Sequence, residues 1–158
     1  MAIEIERKFL VQGDDWRQGA TGVRYMQGYL NRDKARTVRV RIAGTQGFLT
    51  IKGESVGATR AEFEYPVPVE DAQALLALCE GPCIDKTRYR IPLDGMVWEV
   101  DVFAGDNAGL VVAEIELPSE DAPFTRPPWL GAEVTHDARY FNSNLSRQPY
   151  GRWDRPAG

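Results

Sequence analysis

Six basic residues stand where the alternation of a strand would turn them to one side: Lys8, Arg39, Arg41, Lys52, Lys86 and Arg88. Guanidinium forks and ammonium groups converging from several strands match a ligand with many oxygens and several negative charges, a polyphosphate rather than a simple carboxylate. Acids recur in the same way. Glu4 and Glu6 lie one pleat apart, about 6.6 Å along a strand, and Glu114 and Glu116 repeat that spacing. Hard oxygen ligands of this kind suit Mg²⁺ or Mn²⁺, which bridge phosphate oxygens. With one histidine, His136, and two cysteines, Cys79 and Cys83, the chain lacks the ligands of a zinc site. The chemistry these residues suit is metal-assisted phosphoryl transfer, in which positioning and charge neutralisation supply most of the catalysis.

The residues between the charges are apolar: Ile3, Ile5 and Phe9; Val38, Val40 and Ile42; Trp98, Val100 and Val102. Side chains of a strand alternate between faces, so each such segment has one ionic and one greasy side. Strands are predicted at 3–11, 24–31, 37–43, 47–54, 60–66, 84–92, 96–104 and 111–118, with turn residues between them short enough for antiparallel neighbours. A helix is predicted over Val69–Glu80, led by Pro68, Glu70 and Asp71 and stopped by Gly81-Pro82. A second is predicted from about Asp137 to Ser146, a short helix at most near Asp15 and Trp16, and an irregular crossing at Pro123, Pro127 and Pro128.

Two short helices cannot cover the apolar faces of eight strands. A sheet curled into a barrel resolves this, because eight strands enclose a space just wide enough for side chains or one small ligand. The predicted class is α+β, an eight-stranded closed antiparallel β-barrel with a charged lumen and a few flanking helices. Its lining holds the acids Glu4, Glu6, Glu62, Glu64, Glu99, Asp101, Glu114 and Glu116 against Lys8, Arg39, Arg41, Lys52, Lys86, Arg88 and Arg90. Near balance matters there, since an unpaired charge in a confined space costs several kcal/mol. An apolar exterior needs cover, which favours a homodimer.

The chain of 158 residues, net charge −4, reads as a single domain over 1–150 with a polar, frayed tail over 151–158. The acidic balance argues against nucleic acid. No apolar run approaches the roughly 18 residues that span a bilayer, and no signal-peptide pattern opens the chain, so no membrane role and a cytoplasmic location are expected. Cys79 and Cys83 read as free thiols, and His136 as a loop residue rather than a base.

The opening Glu4-Ile-Glu6-Arg-Lys8 resembles the E-x-E-x-K signature of the CYTH superfamily, the triphosphate tunnel metalloenzymes. The resemblance continues through Arg39-Val-Arg41, the strand of Lys52, Glu62-Phe-Glu64, Lys86-Thr-Arg88-Tyr89, Glu114-Ile-Glu116 and the segment Glu133 to Leu145. It implies an eight-stranded tunnel that binds a triphosphate and a divalent metal. By that resemblance Glu4, Glu6 and Glu116 hold the metal with Glu114 beside it, while Lys8, Arg39, Arg41, Lys52, Lys86 and Arg88 hold phosphates and Glu62 and Glu64 belong to the substrate site. Tyr29 occupies the place of a candidate proton acceptor. Lys86 is the other, because a lysine among cations can have a lowered pKa. Arg90 lies beyond the matched motif.

Three functions are compatible with such a site. The first is hydrolysis of inorganic triphosphate, or a related triphosphate, at its terminal phosphoryl group. The second is a class IV-type adenylate cyclase that converts ATP to cyclic AMP, and the third a polyphosphate-binding module without turnover.

Overall fold

The computed structural model describes residues 3–153. Its strands are β1 (Ile3–Val11), β2 (Gly22–Asn31), β3 (Arg36–Ala43), β4 (Gln46–Gly53), β5 (Thr59–Val67), β6 (Ile84–Leu93), β7 (Met96–Phe103), β8 (Val111–Glu116) and β9 (Leu130–Glu133), with helices α1 (Val69–Leu76) and α2 (Asn142–Leu145). Hydrogen-bonded neighbours run β5-β4-β3-β2-β6-β7-β8-β1, all antiparallel, and β1 returns to β5 through Ile3↔Ala61, Glu4↔Arg60 and Ile5↔Thr59. The sheet is therefore a closed eight-stranded barrel, as the alternation predicts. Tight hairpins set its register. Asp94 and Gly95 both take positive φ (50° and 79°) in the two-residue turn from β6 to β7, the conformation that Asp-Gly favours.

β9 is a strand the sequence does not announce. Among the described residues β5 pairs with no more of β1 than Ile3–Ile5, and β9 takes up the same edge further on, opposite Phe9 and Val11. Four residues just after Pro127 and Pro128 carry too little alternation to be recognised, and it is the exposed edge of β1 that makes them a strand.

The greasy faces point outward and are covered largely by the chain itself. Phe9, Trp98, Val100, Ala113 and Ile115 of β1, β7 and β8 pack beneath Trp16, Leu117 and Trp129. Trp98 meets Phe9, Phe124 and Trp129 edge to face at 5.7–5.8 Å, geometry that adds to the area buried. On another side Ile84, Phe103, Leu110 and Val112 pack under Val134, Tyr140 and Leu145. α1 lies on β2, β3 and β4. Among the described residues, Ile3, Ile51, Phe63 and Tyr65 of β1, β4 and β5 stay exposed.

Three expectations need correction. α1 ends at Leu76, not Glu80, because the Leu78 and Cys79 amides bond back to Leu75 and Leu76 and the Glu80 amide donates to the Tyr29 carbonyl of β2. The predicted helix over Asp137–Ser146 is broken: Ala138–Tyr140 form a 3₁₀ turn, Phe141 is extended, and α2 follows. There the Asp137 side chain accepts from the Arg139 amide, and the Tyr140 carbonyl is taken by the Lys8 ammonium. The tail is not frayed at its start, since Trp153 meets Tyr150 and Tyr140 edge to face at 5.1 Å; residues 154–158 lie outside the described residues. Cys79 and Cys83 are free and half-buried beside Gly28, where a Cβ would come within 2.9 Å of the Cys79 sulfur. Among the described residues no helix is long and apolar enough to cross a membrane.

Candidate active site

Inside the barrel is a cavity of about 490 Å³, and it is ionic. Alternation places Lys8 of β1, Arg39 and Arg41 of β3, Lys52 of β4, and Lys86 and Arg88 of β6 on its wall. Tyr29 of β2, Glu4 and Glu6 of β1, Glu62 and Glu64 of β5, and Glu114 and Glu116 of β8 also line it. Every site residue predicted from the sequence thus reaches one enclosed space.

The cations are held in place by neighbours. Lys8 Nζ donates to the Tyr140 carbonyl at 3.0 Å and lies 3.5 Å from Glu114. Lys52 Nζ bridges Glu4 (2.8 Å) and Glu62 (3.3 Å). Arg39 reaches Thr50 (3.2 Å) and Glu64 (3.3 Å). Arg88 forms a fork on Asp101 at 2.8 and 2.9 Å, and Lys86 Nζ lies 2.7 Å from the same carboxylate. Asp101 corrects one expectation. It does not line the cavity but sits behind it, 1% exposed, where it neutralises two cations that do. Arg90, exposed, pairs with Glu99 at 3.2 Å at the edge of the site.

Burial and neighbouring charges shift the protonation of several groups. Arg41, which makes no ion pair among the described residues and donates Nε to Gln27 Oε1 at 2.9 Å, is brought down to about 9 by burial and by Arg39 and Arg88. Burial, partly offset by Asp101, brings Lys86 down to about 7. Burial would raise Glu114, but Lys8, Arg88 and Lys86 hold it well below the usual carboxylate range. Glu6 moves the other way, raised well above that range by burial and by Glu114 and Glu4.

The acids form a row across the sheet. Glu6 faces Glu116 and Lys8 faces Glu114 across β1–β8, and Glu99 faces Glu114 across β7–β8. Like charges directly opposite one another destabilise a sheet unless a cation sits between them. The donor set is oxygen alone, which suits a hard divalent ion. Among the described residues no three acids converge in a ready-made cage, because Glu4 is turned to Lys52 and Glu114 to Lys8. The residues fit such an ion once those two carboxylates are released from their lysines.

Several lining residues escape the sequence reading. Tyr25 stacks under both Arg41 and Arg88, each guanidinium carbon 4.8 Å from its ring centroid. Its parity on β2 was the available signal. Arg60 shares the parity of Glu62 and Glu64 and also lines the cavity. Asn142 carries no such signal; the break before α2 carries its side chain to Lys86, 3.3 Å away. His136 lies exposed on the rim.

The chain is similar to known proteins in sequence and in fold. The CYTH domain model matches residues 2–150. An inorganic triphosphatase of Acetivibrio thermocellus is 53% identical over 151 residues, covering 95% of this chain and 97% of that protein. One from Nitrosomonas europaea is 43% identical over 149 residues, covering 90% and 96%. A crystal structure of an inorganic triphosphatase matches with a TM-score of 0.67 at 40% identity, covering 90% of this chain and 96% of that one. With its six-motif tunnel and a family match over nearly its whole length, the chain belongs to the CYTH family.

Proposed function

We propose that this chain is a divalent-cation-dependent hydrolase that splits inorganic triphosphate into pyrophosphate and phosphate, with Mg²⁺ or Mn²⁺ as its ion. The observation that carries this reading is the convergence of six cations from four strands on one cavity of about 490 Å³ inside the barrel. The substrate is taken to be the inorganic one because the chain is 53% and 43% identical to two inorganic triphosphatases.

In this reading Lys8, Arg39, Arg41, Lys52 and Arg88 bind phosphate oxygens through charge-assisted hydrogen bonds. Glu62 and Glu64 act through the cations they orient, Lys52 and Arg39. Glu4, Glu6, Glu114 and Glu116 would hold the ion, whose chemistry when bound is to neutralise charge on the phosphate oxygens. Water attacks the terminal phosphorus, pyrophosphate leaves, and the proton of the water passes to Lys86. A lysine brought down to about 7 is substantially neutral at physiological pH and so can accept it. Tyr29, 4% exposed and accepting a 3.4 Å bond from Gln27, is the second group placed to handle that proton.

Phosphate release from inorganic triphosphate, ATP and thiamine triphosphate, each with Mg²⁺ and with Mn²⁺, tests the proposal. Fastest release from inorganic triphosphate is expected. Cyclic AMP as the product from ATP, or binding of triphosphate without turnover under either metal, would replace it with another reading.

A further inference from the structure

Nearly every lumen cation has a carboxylate partner. Lys8 has Glu114, Arg39 has Glu64, Lys52 has Glu4 and Glu62, Lys86 has Asp101, and Arg88 and Arg90 have Glu99. Among the described residues two lumen cations make no ion pair, and one of them, Arg41, spends its Nε on Gln27. The other is Arg60 of β5. It lines the cavity, half-buried, and its Nε is shielded from solvent without a hydrogen-bond partner.

That isolation is not forced by its surroundings. Arg60 lies directly across from Glu4 in the β1–β5 pairing, where an ion pair would be natural, yet Glu4 is turned to Lys52 at 2.8 Å. A buried donor left unmade costs free energy, and that cost disappears when the oxygen of an entering anion accepts from it. Arg60 also stands at a distinct place in the cavity. It lies just after the β4–β5 turn, whose Ser55, Gly57 and Ala58 line the same space, whereas Lys8 and Lys86 are tied to Tyr140 and Asn142 in the segment before and within α2. The Ala58 amide is pinned to Glu120 at 2.8 Å, so the turn that carries Arg60 is itself anchored.

We propose that Arg60 is a substrate-contacting residue of this site, whose guanidinium takes phosphate oxygens at the end of the triphosphate nearest the β4–β5 turn. The inference rests on the triphosphate reading of the cavity and adds to it a binding contact beyond those the charged motifs supply. Arg60 binds the anion throughout the reaction, so its loss raises KM more than it lowers kcat.

The test compares wild type with Arg60→Ala, Arg60→Gln and Arg60→Lys. Binding of inorganic triphosphate is followed by calorimetry in the presence of a chelator, and KM and kcat are measured with Mg²⁺ or Mn²⁺. Loss of a charge-assisted contact is expected to weaken binding and raise KM about tenfold in the Ala and Gln variants, with kcat within about twofold of wild type and partial recovery in Arg60→Lys. Unchanged binding and KM in both neutral variants overturns the assignment, as does a fall in kcat alone. If Arg60→Ala does not fold, the near-isosteric Gln variant decides. Wild-type binding of triphosphate without turnover removes the hydrolytic reading and leaves the Arg60 contact to be judged by calorimetry, whereas no binding by wild type overturns both.

Discussion

Lys86 Nζ stands 2.7 Å from Asp101 Oδ2 where solvent reaches neither, yet burial still brings the ammonium down to about 7. Facing it are Tyr25 of β2, Arg41 of β3, Arg88 of its own strand, Glu114 of β8 and Asn142 of α2. Below its pKa Lys86 carries the proton and cannot accept another. Turnover is therefore expected to climb as pH rises through about 7 and then to level off. Lys86→Arg keeps the charge but cannot deprotonate, so kcat should fall by about a hundredfold and the inflection near neutrality should vanish. A pH–rate profile of both proteins checks this; the same inflection in the variant would assign the titration elsewhere.

Removal of a cation from the cavity wall should silence the enzyme without unfolding it. Arg41 is crowded by Arg39 and Arg88 and makes no ion pair among the described residues, so Arg41→Ala relieves repulsion as it deletes the phosphate contact proposed above. Activity is expected to fall by at least about a hundredfold, with thermal stability within a few degrees of wild type. Lys8→Ala should behave alike in activity. Retained turnover in both variants would show that the cationic wall is not the substrate site.

Glu6 and Glu116 oppose each other across β1–β8, so a divalent cation should stabilise the folded chain apart from any substrate. Thermal melts with Mg²⁺ or Mn²⁺ against a chelator are expected to show a higher midpoint with metal. Glu116→Gln should shrink that shift and stabilise the metal-free chain by roughly 0.5 kcal/mol, the scale of a relieved cross-strand repulsion. An undiminished metal shift in the variant would place the ion away from these acids.

On the outside, Arg7 and Glu133 join β1 to β9 through paired bonds of 2.9 and 2.6 Å. Arg7 holds Glu133 down to about 2, against 4.5 for the free side chain. The group is depressed in the folded state, so its contribution is fully present above 4.5 and is lost as pH falls toward 2. Both side chains are partly exposed, and screening reduces the contribution to about 1 kcal/mol. Urea denaturation of Glu133→Gln should show a loss of that size near neutrality and almost none at the acid end. An equal loss at both extremes would point to packing instead of charge.

Strand-wise alternation is a local property, set by the geometry of one strand at a time, and so the eight strands, the two-residue turns and the facing of the ionic sides were legible in the chain itself. So was the inward placement of the thirteen predicted site residues, because alternation gives each a fixed parity on its strand, and closing the barrel sends that parity inward. Contacts between distant segments were not. β9 exists because β5 leaves part of the β1 edge open, and the helix predicted over Asp137–Ser146 breaks because the Tyr140 carbonyl answers Lys8. Only the folded barrel puts Asp101 behind Lys86 and Arg88 and leaves Arg60 without an ion pair among the described residues. Whether a charge is satisfied depends on which side chains arrive beside it in three dimensions, and that is decided by closure of the sheet.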